Sequence, residues 1–178
     1  MAATDQAFAL LRAGLGAGLG VGLVMELSQR AMVNAESAPA FVVAVGASAA
    51  LVFAVPNSPF ARPWAVIGGS VISALAGLSA VMLLGSTPWS AMTAVAFAIV
   101  MMQICRCLHP PGGAVALSVV LGGPGIHAAG IGYAFLTVGF NMLLLVAVGV
   151  AYNRLTDTIG AVLARRRRSD PPRRESDR

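Results

Sequence analysis

Charge is scarce in this chain, and lysine is absent. Only 11% of the 178 residues are charged, all 12 basic residues are arginine, and residues 39–152 contain no aspartate or glutamate. A water-soluble domain carries charge on about a quarter of its residues. A soluble enzyme, a nucleic-acid-binding protein and a disordered chain are therefore excluded. What remains is a polytopic α-helical membrane protein in one compact domain.

Cysteine is also scarce, because the chain has only Cys105 and Cys107. Two cysteines are too few for a disulfide framework, and their spacing directs them to different sides of a helix. Only His109 is close enough in sequence to share a metal ion with them, so we expect no metal and no cofactor. We interpret both cysteines as small side chains in a packed helix.

Apolar residues dominate instead, since 57% of the chain is hydrophobic and glycine adds 20 residues. Apolar runs separated by polar or Gly-Pro breaks predict an all-α membrane protein with about six segments. The fifth run covers only about 18 Å at 1.5 Å per residue, so we expect a short broken helix there. The predicted segments are residues 6–25, 39–55, 63–84, 89–108, 110–121 and 126–152.

Small residues recur at every fourth position on faces of the first and third segments. Such faces let helices approach closely in lipid, either within one chain or between copies in a homo-oligomer. The faces are Gly14/Gly18/Gly22 and Gly16/Gly20 in the first segment, and Gly69/Ser73/Gly77 in the third.

The second and fifth segments have a similar composition, which suggests two inverted three-helix repeats. The run from Gly46 through Ala47 and Ser48 resembles the run that begins at Gly112 and Gly113. Two units with an odd number of crossings each would lie inverted in the membrane.

The distribution of arginine predicts the topology. Seven of the 12 arginines lie between residues 165 and 178, and a basic run after the last segment anchors the cytoplasmic side and attracts anionic lipid. With six crossings, both termini are cytoplasmic and residues 27–38 form an outside loop. We predict a membrane domain at residues 1–155 and an Arg-rich, disordered cytoplasmic tail at residues 156–178. The expected location is the bacterial inner membrane, with lipid and no nucleic acid as partners.

The ionisable residues of the apolar region are all basic. Such residues are functional candidates by default, and an interior without carboxylates favours an anion or a small neutral solute. If the fifth helix begins at Pro110, its free N–H groups face the region of His109, as at other anion sites. The four residues are Arg62, Arg106, His109 and His127.

We predict the anion site at the start of the fifth helix. Arg106 and His109, three residues apart, would project from one face of the fourth helix. Pro110 and Pro111 have no N–H and would only begin the fifth helix. The alternative is a purely structural role, in which Arg106 reaches the cytoplasmic interface and His109 caps the helix break. The predicted substrate-binding residues are Arg106, His109, Gly112, Gly113 and Ala114, joined by Gly46, Ala47 and Ser48 from the second helix.

The run His109-Pro110-Pro111-Gly112-Gly113 resembles the signature of the HPP family of integral membrane proteins, named for that tripeptide. A second block, which begins at residues 46–49, resembles the family pattern in the same order. Some members of the family are implicated in nitrite transport, so the resemblance implies a small multi-helix membrane protein that moves an anion. The structural motif positions that the resemblance implies are Pro110, Pro111, Asn57, Pro59, Gly68 and Gly69.

The chain departs from the family pattern at Arg62, Trp64 and Ser70, which the resemblance places among possible pathway positions. Charge and resemblance together predict a transporter or channel for a small inorganic anion, nitrite first, and not an enzyme. Two alternatives stay open. One is a structural or sensory membrane protein without transport, and the other is a membrane enzyme that uses His109 with Cys105 or Cys107.

Overall fold

The computed structural model of the chain describes the backbone of residues 3–31 and 38–169, and the side chains of residues 6–28 and 43–162. Every regular element in these ranges is helical, which confirms the predicted all-α class. The α-helices in chain order are α1 (Ala3–Ala31), α2 (Ala38–Ala54), α3 (Pro63–Leu84), α4 (Pro88–Ile104), α5 (Gly112–Leu121), α6 (Gly123–Ala129) and α7 (Phe140–Ser169).

In the described part of the chain, three helical stretches are long and apolar enough to cross a membrane: Gln6–Ser28, Pro63–Leu84 and Tyr133–Val162. A fourth candidate is the pair α5 and α6, which meet at an angle of 108°. Helices α2 and α4 are shorter, with 17 residues each, or roughly 26 Å. The protein is therefore an integral membrane protein with three or four candidate spans. The predicted count of six depends on α2 and α4 also crossing.

Helix α5 is short, as predicted, but it begins two residues later than predicted. Pro110 and Pro111 form a turn before the helix, and Gly112 is its first residue. The helix has 10 residues and ends at Leu121. Gly123, with φ of 75°, then redirects the chain into α6 because this left-handed conformation suits glycine.

Two other predicted boundaries are wrong. The predicted last segment, residues 126–152, is interrupted at Gly130, whose φ is 53°, and the span restarts with a π-helical stretch, Tyr133–Gly139. The predicted outside loop at residues 27–38 is helical up to Ala31, because its first residues continue the helix beyond the apolar part. Residues 32–37 lie outside the described residues.

Helix α7 continues well beyond the predicted domain boundary at residue 155. It runs to Ser169, so the first half of the predicted tail is helical, and residues 170–178 lie outside the described residues. Within this helix, Asp157 forms an ion pair of 2.6 Å with Arg12 of α1. The hydroxyl of Tyr152 donates to the Arg12 carbonyl oxygen at 3.0 Å. These contacts join the N-terminal half of α1 to α7.

Helix α1 packs against the protein through one of its two glycine faces. A Cβ atom added at Gly16 or Gly20 would lie 2.6 Å from the ring of Phe53 on α2, so only glycine allows this approach. The face that contains Gly18 has no neighbour within 4 Å of its added Cβ atoms. One face therefore packs inside the chain, and the other points away from its described part.

Helix α3 is the central helix, and its small residues set the distance to the elements that carry the site. A Cβ atom added at Gly77 would lie 2.7 Å from the carbonyl oxygen of Ala116 on α5. One at Gly69 would lie 2.5 Å from the carbonyl oxygen of Cys107 and 2.8 Å from Cβ of His109. The predicted small-residue face of α3 is thus the surface on which α5 and the segment before it rest.

Candidate functional site

The segment between α4 and α5 places its side chains on opposite sides. Helix α4 ends at Ile104, and Arg106 has φ of 53°, a left-handed conformation that costs a non-glycine residue about 1–2 kcal/mol. The chain reverses there, and the Arg106 N–H donates to the Gln103 carbonyl oxygen at 3.1 Å. Arg106 consequently faces outward, whereas His109 is completely buried. The prediction that both project from one face of a helix is wrong.

His109 is held at both ring nitrogens. Nδ1 lies 2.9 Å from the carbonyl oxygen of Phe60, and Nε2 lies 2.9 Å from Oγ of Ser48. Ser48 is a buried residue of α2, and this contact brings it to the segment that contains His109, Pro110 and Pro111. The predicted approach of Ser48 to this segment is therefore observed. His109 lies between α4 and α5, outside both helices. Burial lowers the pKa of its imidazole, a shift that the hydrogen bond to Phe60 opposes.

Two of the three N–H groups that were predicted to bind an anion at the start of α5 are hydrogen-bonded within the chain. The Gly112 N–H donates to the His109 carbonyl oxygen at 2.8 Å, and the Gly113 N–H donates to that of Pro110 at 3.2 Å. A Cβ atom at Gly112 would lie 2.5 Å from Oγ of Ser73, so α3 packs closely against this glycine. Ala114 packs against the apolar core. The start of α5 is filled by its own chain.

Of the three predicted residues on α2, only Ser48 reaches the site. Gly46 and Ala47 are exposed on the outer side of the helix, away from His109. Successive residues of a helix point about 100° apart, so a run of three cannot face one point. The two residues are therefore not part of the site.

Two arginines line one open cleft of about 440 Å³ between the start of α3 and the end of α4. Both Arg62 and Arg106 are exposed to it, and none of its described lining residues is acidic. The indole N–H of Trp64 donates to the Cys105 carbonyl oxygen at 3.1 Å, which ties the two walls together. The lining residues are Pro59, Phe60, Arg62, Trp64, Ala65, Gln103, Arg106 and Leu108.

Sequence reasoning identified Arg62 as a basic functional candidate and as a departure from the family pattern, and Trp64 only as a departure. The structure brings both to the cleft. The third departure, Ser70, is completely buried, and its hydroxyl has no hydrogen-bond partner among the described residues. A buried hydroxyl without a partner costs free energy, which distinguishes Ser70 from the other buried serines of the site.

The motif residues outside the site shape it. Pro59 begins a 3-10 turn, Pro59–Ala61, in which the Phe60 N–H donates to Oγ of Ser58 at 3.2 Å. This turn aims the Phe60 carbonyl oxygen at His109. A Cβ atom at Gly68 would lie 3.0 Å from the indole ring of Trp64, so glycine leaves room for the cleft wall. Asn57 lies exposed in the turn before Pro59.

The two cysteines differ in environment. Cys105 is partly exposed at the end of α4, and Cys107 is buried beside α3. Burial raises the pKa of the Cys107 thiol, and the neighbouring Cys105 raises it further. Within the described residues, no group of three His, Cys, Asp or Glu side chains is placed to hold a metal ion.

Comparison with known proteins identifies the family. The chain matches the family described as "HPP, transmembrane region" over residues 3–160. It is also similar to two transmembrane proteins of Dictyostelium discoideum. One is 40% identical over 80 residues, which is 43% of this chain and 28% of that relative.

The other is 33% identical over 111 residues, which is 60% of this chain and 35% of that relative. The matched part thus spans about a third of each relative's length. No solved structure matches the chain significantly. Because the family match covers nearly all the described residues and includes the His109-Pro110-Pro111 run, the chain belongs to the HPP family of transmembrane proteins.

Proposed function

We propose that this protein is a transporter or channel for a small inorganic anion, with nitrite as the first candidate. We place it in the bacterial inner membrane, with its Arg-rich C-terminus in the cytoplasm, as the positive-inside rule favours. The Dictyostelium relatives are described only as transmembrane proteins, so they support the membrane location alone.

The observation that carries the proposal is the cleft formed by Arg62 and Arg106. These are the only two charged residues in the 114 residues from 39 to 152, and both line the same cleft. Guanidinium groups bind oxyanions through paired N–H donors, and a cleft without carboxylates gives a positive potential that concentrates anions. Cation pathways are commonly lined by carboxylates, and residues 39–152 contain none.

Phe60 connects this cleft with the buried part of the site. It lines the cleft, and its carbonyl oxygen holds Nδ1 of His109 behind it. Only Phe60 therefore separates an anion bound by the arginines from the buried polar pair His109 and Ser48. We propose that the anion passes from the cleft toward this pair when the turn at Phe60 moves.

The alternatives have less support. A structural or sensory protein has no need for two arginines in one cleft, one of them in a costly left-handed conformation. A membrane enzyme that uses His109 with Cys105 or Cys107 would need a metal shell or an acidic partner at the ring, and the described residues place no group of three His, Cys, Asp or Glu side chains together.

The test is nitrite flux into vesicles reconstituted with the purified protein, compared with protein-free vesicles. Arg62→Gln and Arg106→Gln should each lower the flux about tenfold, since a hydrogen bond to a charged group contributes about 1.5–3 kcal/mol. Arg154→Gln is the matched control, because Arg154 is exposed on α7 and does not line the cleft. Equal flux in all three variants, or none above that of protein-free vesicles, contradicts the proposal.

A further inference from the structure

The hydrogen bonds of His109 fit two protonation states of its ring without movement of any heavy atom. Nδ1 lies 2.9 Å from the Phe60 carbonyl oxygen, which only accepts, so Nδ1 carries a proton in both states. Nε2 lies 2.9 Å from Oγ of Ser48, and a hydroxyl either donates or accepts. The two states therefore differ only at Nε2.

Ser48 has one hydroxyl proton and two acceptors. Its Oγ is 2.9 Å from Nε2 of His109 and also 2.9 Å from the carbonyl oxygen of Ala44. When the ring is neutral, Ser48 donates to Nε2. When the ring takes up a proton at Nε2, that N–H donates to Oγ, and the hydroxyl rotates to donate to Ala44. Both ring nitrogens are paired in either state, and one proton is gained or lost.

Among the described residues, the groups that contact the His109 ring carry no negative charge. Helix α2 contributes Ser48, the 3-10 turn contributes a carbonyl group, and α3 contributes Gly69 against Cβ of His109. Residues 39–152 contain no carboxylate that could serve as a counter-ion. The charged and titratable groups on the neighbouring segments are Arg62 and Arg106 in the cleft, and Cys105 and Cys107 before the ring. On the helices that pack against α2, α1 carries Glu26, and α7 carries Asp157, which is paired with Arg12.

We infer that His109 is a proton-binding site and that a proton moves together with the anion, an inference that rests on the proposed transport function. A buried imidazolium without a counter-ion is costly, and the two cleft arginines add repulsion. An oxyanion bound between the cleft and the ring supplies the missing negative charge. Anion binding therefore favours protonation of His109, and protonation increases anion affinity by the same factor.

Phe60 transmits this coupling. The same residue lines the anion cleft and accepts the Nδ1 proton of His109, so the two ligands meet at one short turn. The bound pair of proton and anion is neutral overall, and a neutral pair enters the interior at a lower desolvation cost than an isolated anion.

The test uses vesicles that contain wild-type protein and the same nitrite concentration on both sides. The outside is then acidified by one pH unit, and the initial rate of nitrite uptake is measured. The rate in protein-free vesicles, which nitrous acid crosses unaided, is subtracted. We expect a protein-dependent increase in the initial rate of uptake. The limiting accumulation, about tenfold for one proton per anion, is the same with and without protein because nitrous acid also carries one proton per nitrite.

Three variants assign the proton to His109. His109→Gln should lose the uptake driven by acidification, and Ser48→Ala should reduce it about tenfold, because Nε2 then has no partner in either state. His127→Gln is the matched control, since His127 bonds to the Val119 carbonyl oxygen at 2.9 Å and lies in α6, outside this site. It should respond to acidification like the wild type.

The outcomes separate this inference from the proposed function. Wild-type protein that carries nitrite down its gradient but gives no uptake on acidification overturns proton coupling and leaves anion transport intact. A His109→Gln variant that responds to acidification like the wild type also overturns the inference. No protein-dependent nitrite flux of any kind overturns both.

Discussion

Arg106 and His109 are three residues apart, yet they occupy opposite environments. The arginine is exposed in an open cleft opposite Arg62, and the histidine is fully buried with both ring nitrogens hydrogen-bonded. A helix would have placed them on one face. The difference arises at the left-handed backbone of Arg106 and shows that one short segment supplies two distinct sites, one for capture and one for the interior.

The largest effect is expected from a change that disturbs both environments at once. Gly69→Ala places a methyl group 2.5 Å from the Cys107 carbonyl oxygen and 2.8 Å from Cβ of His109, and neither neighbour can yield easily. We expect a loss of about 1–3 kcal/mol of stability and most of the nitrite flux. Thermal unfolding in detergent and vesicle flux measure the two effects.

Gly46→Ala is the matched control for this variant. Nothing lies within 4 Å of a Cβ atom at Gly46, so the variant should keep its stability and flux. Equal stability and equal flux in the Gly69→Ala and Gly46→Ala variants would contradict the described packing of α3 against the segment that contains His109.

A second variant separates charge from backbone conformation at Arg106. Glycine adopts φ of 53° without the cost that arginine carries, so Arg106→Gly should be more stable than Arg106→Gln by about 1 kcal/mol. In a chain of this size that difference corresponds to roughly 2–4 °C in Tm. The flux of both variants should be equally low, because both lack the guanidinium. If Arg106→Gly is the less stable variant, the left-handed conformation at position 106 is not the reason that Arg106 and His109 lie in different environments.

The smallest expected effect concerns the two cysteines. One is partly exposed and the other is buried, so they report on the two environments without any mutation. A water-soluble maleimide should modify Cys105 in the folded protein, while Cys107 should react only after unfolding. The thiolate is the reactive form of cysteine, and burial raises the pKa of Cys107. Cys107 should therefore stay unlabelled in the folded protein when the pH is raised from 7 to 8. Mass spectrometry after labelling identifies the modified residue, and fast labelling of Cys107 would contradict its burial.

The sequence was sufficient to predict α3 because its ends are marked locally. Pro63 is suited to a helix start and Gly85 ends the helix with φ of 65°, and the helix spans Pro63–Leu84 as predicted. The packing of Gly69 and Gly77 also followed from their spacing. The similarity of the second and fifth segments suggested that residues 46–48 lie near His109, and Ser48 makes this contact.

The cleft could not be predicted in the same way. Arg62 and Arg106 are 44 positions apart, and they meet only because α3 and α4 pack side by side, a tertiary contact without a local signal. The reversal at Arg106 was also hidden, because arginine gives no sign of a left-handed residue as glycine does. The predicted anion site therefore divided into two parts, and the N–H groups of Gly112 and Gly113 are hydrogen-bonded within the chain.

The most direct test of the account is nitrite flux in vesicles that contain equal amounts of inserted wild-type protein, the double variant Arg62→Gln/Arg106→Gln, or the control Arg154→Gln. If the cleft captures the anion, the double variant should fall about a hundredfold, to near the rate of protein-free vesicles, since each guanidinium contributes about 1.5–3 kcal/mol. The control should retain the wild-type rate. Wild-type flux in the double variant would show that the anion does not pass through this cleft.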